Sequence, residues 1–176
     1  MKKSQINPMP KFFDRYIHLV KEEDLLTALE QSLEDFVDFD FDLLEELGDR
    51  TYEENKWTVK EILQHVIDNE RIQSYRALRF ARRDDTVLPG YDEQHLARYS
   101  YANNRSLEKI KDEFALVRRA SIALFKSLDA EALLNKGVCY QVEISPLALG
   151  FVLVGHQIHH LRILQERYLP LLVHSV

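Results

Sequence analysis

The sequence predicts an all-α protein, a four-helix bundle with a long crossover connection. Three observations carry this. Apolar residues recur at three-and-four spacing over long stretches, which is the signature of helices that bury one face. Gly and Pro number only 5 each, too few for a turn-dense sandwich or barrel. The chain has 176 residues, 45% of them apolar, enough for one sizeable core but not for two comfortable domains. Residues 1–176 are therefore read as a single helical domain, with residues 1–20, which include Pro8 and Pro10, as an extended N-terminal arm.

The first helix is expected from Asp24 to Leu47, with Leu26, Leu29, Leu33, Phe36, Val37, Leu43, Leu44 and Leu47 on its stripe and Gly48 as its stop. Glu30, Glu34, Asp35, Asp38, Asp40 and Asp42 fall mostly off that stripe and read as a solvated face. The second helix opens at Thr58-Val59-Lys60-Glu61, a capping box in which Thr58 and Glu61 satisfy each other's free amides, and runs to about Arg83. Residues 84–105 contain Pro89-Gly90 and a short helix from Asp92 to Tyr99, and are long enough to cross the bundle. Ser106 to Leu128 forms the third helix, with Leu107, Ile110, Phe114, Val117, Ser121, Leu124 and Leu128 inward. Residues 137–142 suggest a short extended piece. The last helix starts with Ser145 as N-cap and Pro146 in the first turn, and ends before Pro170.

Composition narrows the function classes. The net charge of −6 argues against nucleic acid, whose phosphates call for a basic surface. One cysteine, Cys139, excludes an internal disulfide and reads as an inert buried thiol or, less commonly, a reactive one. After Met1-Lys2-Lys3 the sequence continues Ser4-Gln5-Ile6-Asn7-Pro8 rather than with an apolar signal core, and the apolar run from Pro146 to Gly155 is about half a bilayer span. The expectation is a cytoplasmic protein with no membrane partner.

Chemistry concentrates in Gly155-His156-Gln157-Ile158-His159-His160. On a helix, His156 and His160 are about 40° apart, so both imidazoles leave one face and can reach a common ion. They lie in an apolar stripe with Leu149, Val152, Leu153 and Ile163, and buried imidazoles need partners: a metal, or backbone and carboxylate groups. Gln157 stands where a zinc protease carries its glutamate base, so that chemistry is not supported. His159 points to the other side, either supporting the pair from behind or partly exposed. His18, His95 and His174 read as surface. His65 is mid-helix but turned from the apolar centre of its helix, beside Ile62, Asn69 and Ile72; it either faces the last helix from the margin or is exposed. Asp68 or Asn69, one turn on, is a candidate for orienting a ligand or substrate. Arg76, Arg79 and Arg83 form either a face paired with acids or a positive rim that steers an anionic substrate.

The segments Lys56-Trp57-Thr58-Val59-Lys60-Glu61-Ile62-Leu63-Gln64-His65, Asp68-Asn69-Glu70-Arg71, Leu88-Pro89-Gly90-Tyr91-Asp92 and Gly155-His156-Gln157-Ile158-His159-His160 together resemble the DinB-like superfamily of small metalloenzymes. The resemblance runs from Pro8-Met9-Pro10 to Tyr168. It implies a bundle that is a homodimer in many members, and a divalent metal, zinc or nickel foremost, held by His65, His156 and His160. Characterised relatives include transferases that use low-molecular-weight thiols such as bacillithiol, and a mycothiol-dependent isomerase. The resemblance thus implies a metal-dependent enzyme acting on a small molecule, foremost a thiol S-transferase in which the metal activates the thiol. A metal-dependent hydrolase and a non-catalytic, metal-stabilised binding module are the alternatives.

Overall fold

The computed structural model describes residues 1–173, so His174 lies outside the described residues. The order of helices is α1 (Asp14–Ile17), α2 (Leu25–Val37), α3 (Phe41–Glu45), α4 (Val59–Ala81), α5 (Glu93–Arg98), α6 (Leu107–Lys126), α7 (Ala130–Leu134), α8 (Pro146–Ile163) and α9 (Pro170–Val173). Helices α2, α4, α6 and α8 form the bundle. The principal contacts join α4 to α8 and α6, and α2 to the same two helices. Helices α2 and α4, consecutive among the bundle helices, therefore face each other across the bundle, so the order is not a simple up-and-down one; the crossing is made by residues 38–58, whereas residues 84–105, expected to cross, join the neighbouring helices α4 and α6.

The helix starts follow the expected caps. Asp24 accepts from the amide of Leu26 at the start of α2, and Ser106 and Ser145 do the same for α6 and α8. The capping box of α4 is complete: the Glu61 amide donates to Thr58 Oγ1 at 3.2 Å and the Thr58 amide to Glu61 Oε2 at 2.8 Å.

Three further expectations need correction. The first long helix is broken, because Asp40 accepts from the Leu43 amide and starts a new turn, α3. The break lets Phe41 fold back on Phe36, which stacks in turn on Phe114 at 3.7 Å. The piece at residues 137–142 belongs to an antiparallel hairpin, β1 (Gly137–Cys139) with β2 (Val142–Ile144). Tyr140 and Gln141 make its turn with φ of 49° and 63°, the two-residue geometry that matches strand twist. Finally, residues 1–20 are not extended throughout: they contain a 3-10 turn (Lys3–Gln5) and α1, which packs on α8.

That packing depends on Gly155. A Cβ there would sit 2.0 Å from the backbone carbonyl oxygen of Tyr16, so only glycine lets α1 approach α8 this closely. The stretch Pro146–Val173 is long and apolar enough to cross a membrane, but 78% of its most apolar window is buried inside the fold. Leu147, Leu149 and Phe151 are fully buried, which makes this the core helix of the bundle.

One polar cluster ties all four bundle helices together. Arg118 of α6 is fully buried and donates to both carboxylate oxygens of Glu70 on α4, at 2.7 and 2.8 Å. It also donates to Ser32 Oγ of α2. Ser32's own carbonyl accepts from Gln157 Nε2 of α8 at 2.6 Å. The residue that departs from the zinc-protease pattern is thus a packing residue turned into the bundle.

Candidate metal centre

Helix α4 brings His65 to the face that meets α8, and α8 presents His156 and His160 one turn apart. Of the two readings left open for His65, the structure takes the first: the side chain is buried against α8 and not exposed. His65, His156 and His160 are 5%, 4% and 7% exposed. His65 Nε2 and His160 Nε2 each lie 3.1 Å from His156 Nε2, and the three imidazoles offer ligand atoms all within 4.8 Å of one another. The His65 ring leans on Trp57, and the His156 ring meets the edge of Tyr16 at 5.1 Å.

Burial pulls the His65 pKa down to about 4, with the neighbouring His159 adding to it. The His156 and His160 values are also held well below the ordinary imidazole value, first by burial and then by the surrounding imidazoles, with Arg15 adding to the effect on His156. All three rings are therefore neutral at neutral pH, the form that binds a cation.

This arrangement fits a divalent metal better than it fits hydrogen bonding alone. A neutral imidazole nitrogen carries one proton or one lone pair, so His156 Nε2 cannot make two good hydrogen bonds to its neighbours. Tetrahedral zinc with bonds of about 2.0–2.1 Å sets neighbouring nitrogens about 3.3 Å apart, close to the spacing here. The Nδ1 atoms of His156 and His160 are buried without a protein partner, so the protein holds these rings by packing.

A cavity of about 520 Å³ opens on His156 and is lined by Tyr16, Asn69, Gln73, Arg76 and Tyr91 among others. Asn69 Oδ1 accepts from Gln73 Nε2 at 3.0 Å and from the Tyr91 hydroxyl at 2.9 Å. Burial pushes the Tyr91 phenol up to about 12, so it stays protonated and donating. Of the two candidates beside His65, Asn69 faces the cavity. Asp68 instead accepts from Gln64 and lies near Arg71, and burial raises its pKa.

The arginine row divides. Arg79 pairs with Asp84 and Arg83 with Glu131, while Arg76 lines the cavity. His159 lies beside Tyr16 and His160, half-buried. His18 and His95 are exposed. Cys139 is buried, and burial raises its thiol pKa, which makes it an inert core residue. The sequence reading missed Tyr16 and Trp57 as neighbours of the imidazoles. A four-residue helix such as α1 carries no periodic signal; the aromatic residues of residues 1–20 were the only hint that this segment is wall.

A family model described as the DinB superfamily matches residues 28–164. No curated protein matches the chain. Among solved structures the fold resembles YfiT from Bacillus subtilis, described as a probable metal-dependent hydrolase with an unusual four-helix bundle topology. That likeness has a TM-score of 0.65 at 17% identity, and covers 90% of this chain and 87% of the other. At that identity it is a likeness of fold.

Proposed function

The chain belongs to the DinB superfamily, and from that premise we propose that it is a metal-dependent enzyme acting on a small molecule, with His65, His156 and His160 as ligands. The observation that carries the proposal is the convergence of three buried, neutral imidazoles from two helices, one of which, His156, lines the cavity. When bound, a divalent ion, zinc or nickel foremost, supplies Lewis acidity that acidifies a thiol or a water in a coordination position left to solvent.

The proposed reaction is transfer of a low-molecular-weight thiol to an electrophile. The wall residues favour it. Asn69, Gln73, Arg76 and Tyr91 bind and orient, but none of them is a base at neutral pH. The carboxylates on the cavity, Asp92 and Glu93, are exposed at its mouth. A thiol, with a pKa of about 8.5, needs less assistance than water at about 15.7. Metal-assisted hydrolysis is the second reading, favoured by the printed description of YfiT. The proposal extends to a cytoplasmic homodimer of single-domain chains.

Elemental analysis tests the ligands. His65→Ala, His156→Ala and His160→Ala should each lose stoichiometric metal, and His159→Ala should keep it. Normal metal content in all three ligand variants refutes the site. Metal-loaded protein is then given a thiol panel with a generic electrophile, and separately an ester and amide panel, each against a metal-free control. Metal-dependent thioether formation supports transfer; metal-dependent cleavage alone supports hydrolysis.

A further inference from the structure

Arg76 stands apart from the other arginines of this protein. It is 4% exposed, yet among the described residues it forms no ion pair with a carboxylate. Its Nη1 donates to Gln73 Oε1 at 3.1 Å, and its Nη2 donates to the Pro89 carbonyl at 2.6 Å. Both acceptors are neutral. Two of the five guanidinium N–H groups are thereby used, and the side chain lines the cavity.

The fold supplies its own comparison. Arg118, which holds helices together, is buried with a bidentate carboxylate against it. A guanidinium taken out of water costs several kcal/mol unless an opposite charge repays it. Arg76 meets that cost without such a partner, and a divalent cation nearby would add to it. An anion arriving from solvent provides the missing charge. The acids at the mouth do not, because Asp92 and Glu93 are exposed and screened, and Asp92 already caps α5. Arg15, also exposed at the mouth and stacked on Phe12 and Tyr16, adds positive charge there.

Position along α4 sets the shape of the ligand. His65, Asn69, Gln73 and Arg76 follow at four-, four- and three-residue steps, one buried polar stripe on one helix face. The helix rises about 16 Å from the first to the last, and long helical side chains lean toward the N-terminus, which carries the guanidinium back toward the imidazoles. Asn69 and the Tyr91 hydroxyl lie between the two ends.

The geometry points to Arg76 as the specificity residue for an oxyanion, a carboxylate or a phosphate, carried by the substrate at the end opposite its reacting group. This rests on the metal-site reading of the three histidines for the position of the reacting group, while the anion seat itself is testable without metal. The substrate is then an elongated anionic small molecule that spans the polar stripe.

Calorimetric titration of the full chain with succinate, inorganic phosphate and the neutral succinamide, in metal-loaded and chelator-treated protein, tests this. Succinate or phosphate should bind at least about tenfold more tightly than succinamide, the scale of a charge-assisted hydrogen bond. In Arg76→Gln the ratio should fall to about one, and Arg76→Lys, which keeps the charge, should retain a preference. His65→Ala should lose metal and keep the ratio. Equal binding of the charged and neutral probes by the wild type overturns the inference without any variant. So does a preference that survives Arg76→Gln. A preference that vanishes with metal or with His65, but not with Arg76, places the anion on the ion: the metal reading then stands and the Arg76 assignment falls. A wild type that binds no metal yet shows an Arg76-dependent preference does the reverse.

Discussion

Replacing Gly155 by alanine tests how the N-terminal turn is held against the helix that carries two of the imidazoles. The new Cβ would lie 2.0 Å from the Tyr16 carbonyl oxygen and 2.5 Å from its carbon. Ordinary contact begins near 3.4 Å, so α1 must withdraw by more than about 1 Å. Both obstructing atoms are backbone, so no side-chain rotation relieves the clash, and the cost belongs at the upper end of the overpacking range, about 3 kcal/mol. Alanine returns about 1 kcal/mol through its better helix propensity. The net loss of about 2 kcal/mol should lower Tm by roughly 4–8 °C in a domain of this size. Differential scanning calorimetry of chelator-treated wild type and variant reads this directly. A Tm that is unchanged, or raised as propensity alone would raise it, refutes the close docking of α1 on α8.

Glu70→Gln leaves Arg118 buried without its counter-charge, and should cost about 3–5 kcal/mol; urea melts of this variant against Glu70→Leu/Arg118→Met should show the double variant recovering much of the loss. Adding zinc at about 100 times its Kd should stabilise the wild type by about 2.7 kcal/mol and raise Tm by roughly 5–10 °C; the shift should vanish in His156→Ala. In metal-free protein, the His65 pKa lies at about 4 against its ordinary 6.5, so the unfolded chain binds more protons between those values. Stability should be flat in this term above pH 6.5 and fall as the pH drops toward 4, by about 3 kcal/mol for this group. Urea midpoints should show a shallower acid loss in His65→Gln, and equal slopes would contradict the burial of a neutral imidazole.

Much of this architecture can be read from the sequence because helix signals are local. The Thr58–Glu61 box, the serine caps and the apolar spacing each need only a few neighbouring residues. His156 and His160 were legible as a pair for the same reason, being one turn apart. His65 was not, because its angular position departs from the apolar centre of α4, which by periodicity alone suits a solvent-facing residue as well as an interface. Two partners, α6 and α8, bury α4 from different sides, and a single stripe cannot describe a helix with two buried faces. The break at Asp38–Asp40 hid for the opposite reason: the apolar spacing continues through it, and only the capping role of Asp40 marks the new turn. Nothing local reports that Arg118 and Glu70, 48 residues apart, meet in the core.

The cluster of Ser32, Glu70, Arg118 and Gln157 fixes how far each bundle helix can slide along its neighbours, because any slip of one turn would strand a charge in the core. Gln157 is the residue next to His156. The spacing between the imidazoles of α4 and α8 is therefore set when the chain folds, and does not wait for a guest. For the ion proposed at these three histidines, stripping and reloading the protein should be a matter of crossing a doorway, with no helix changing place.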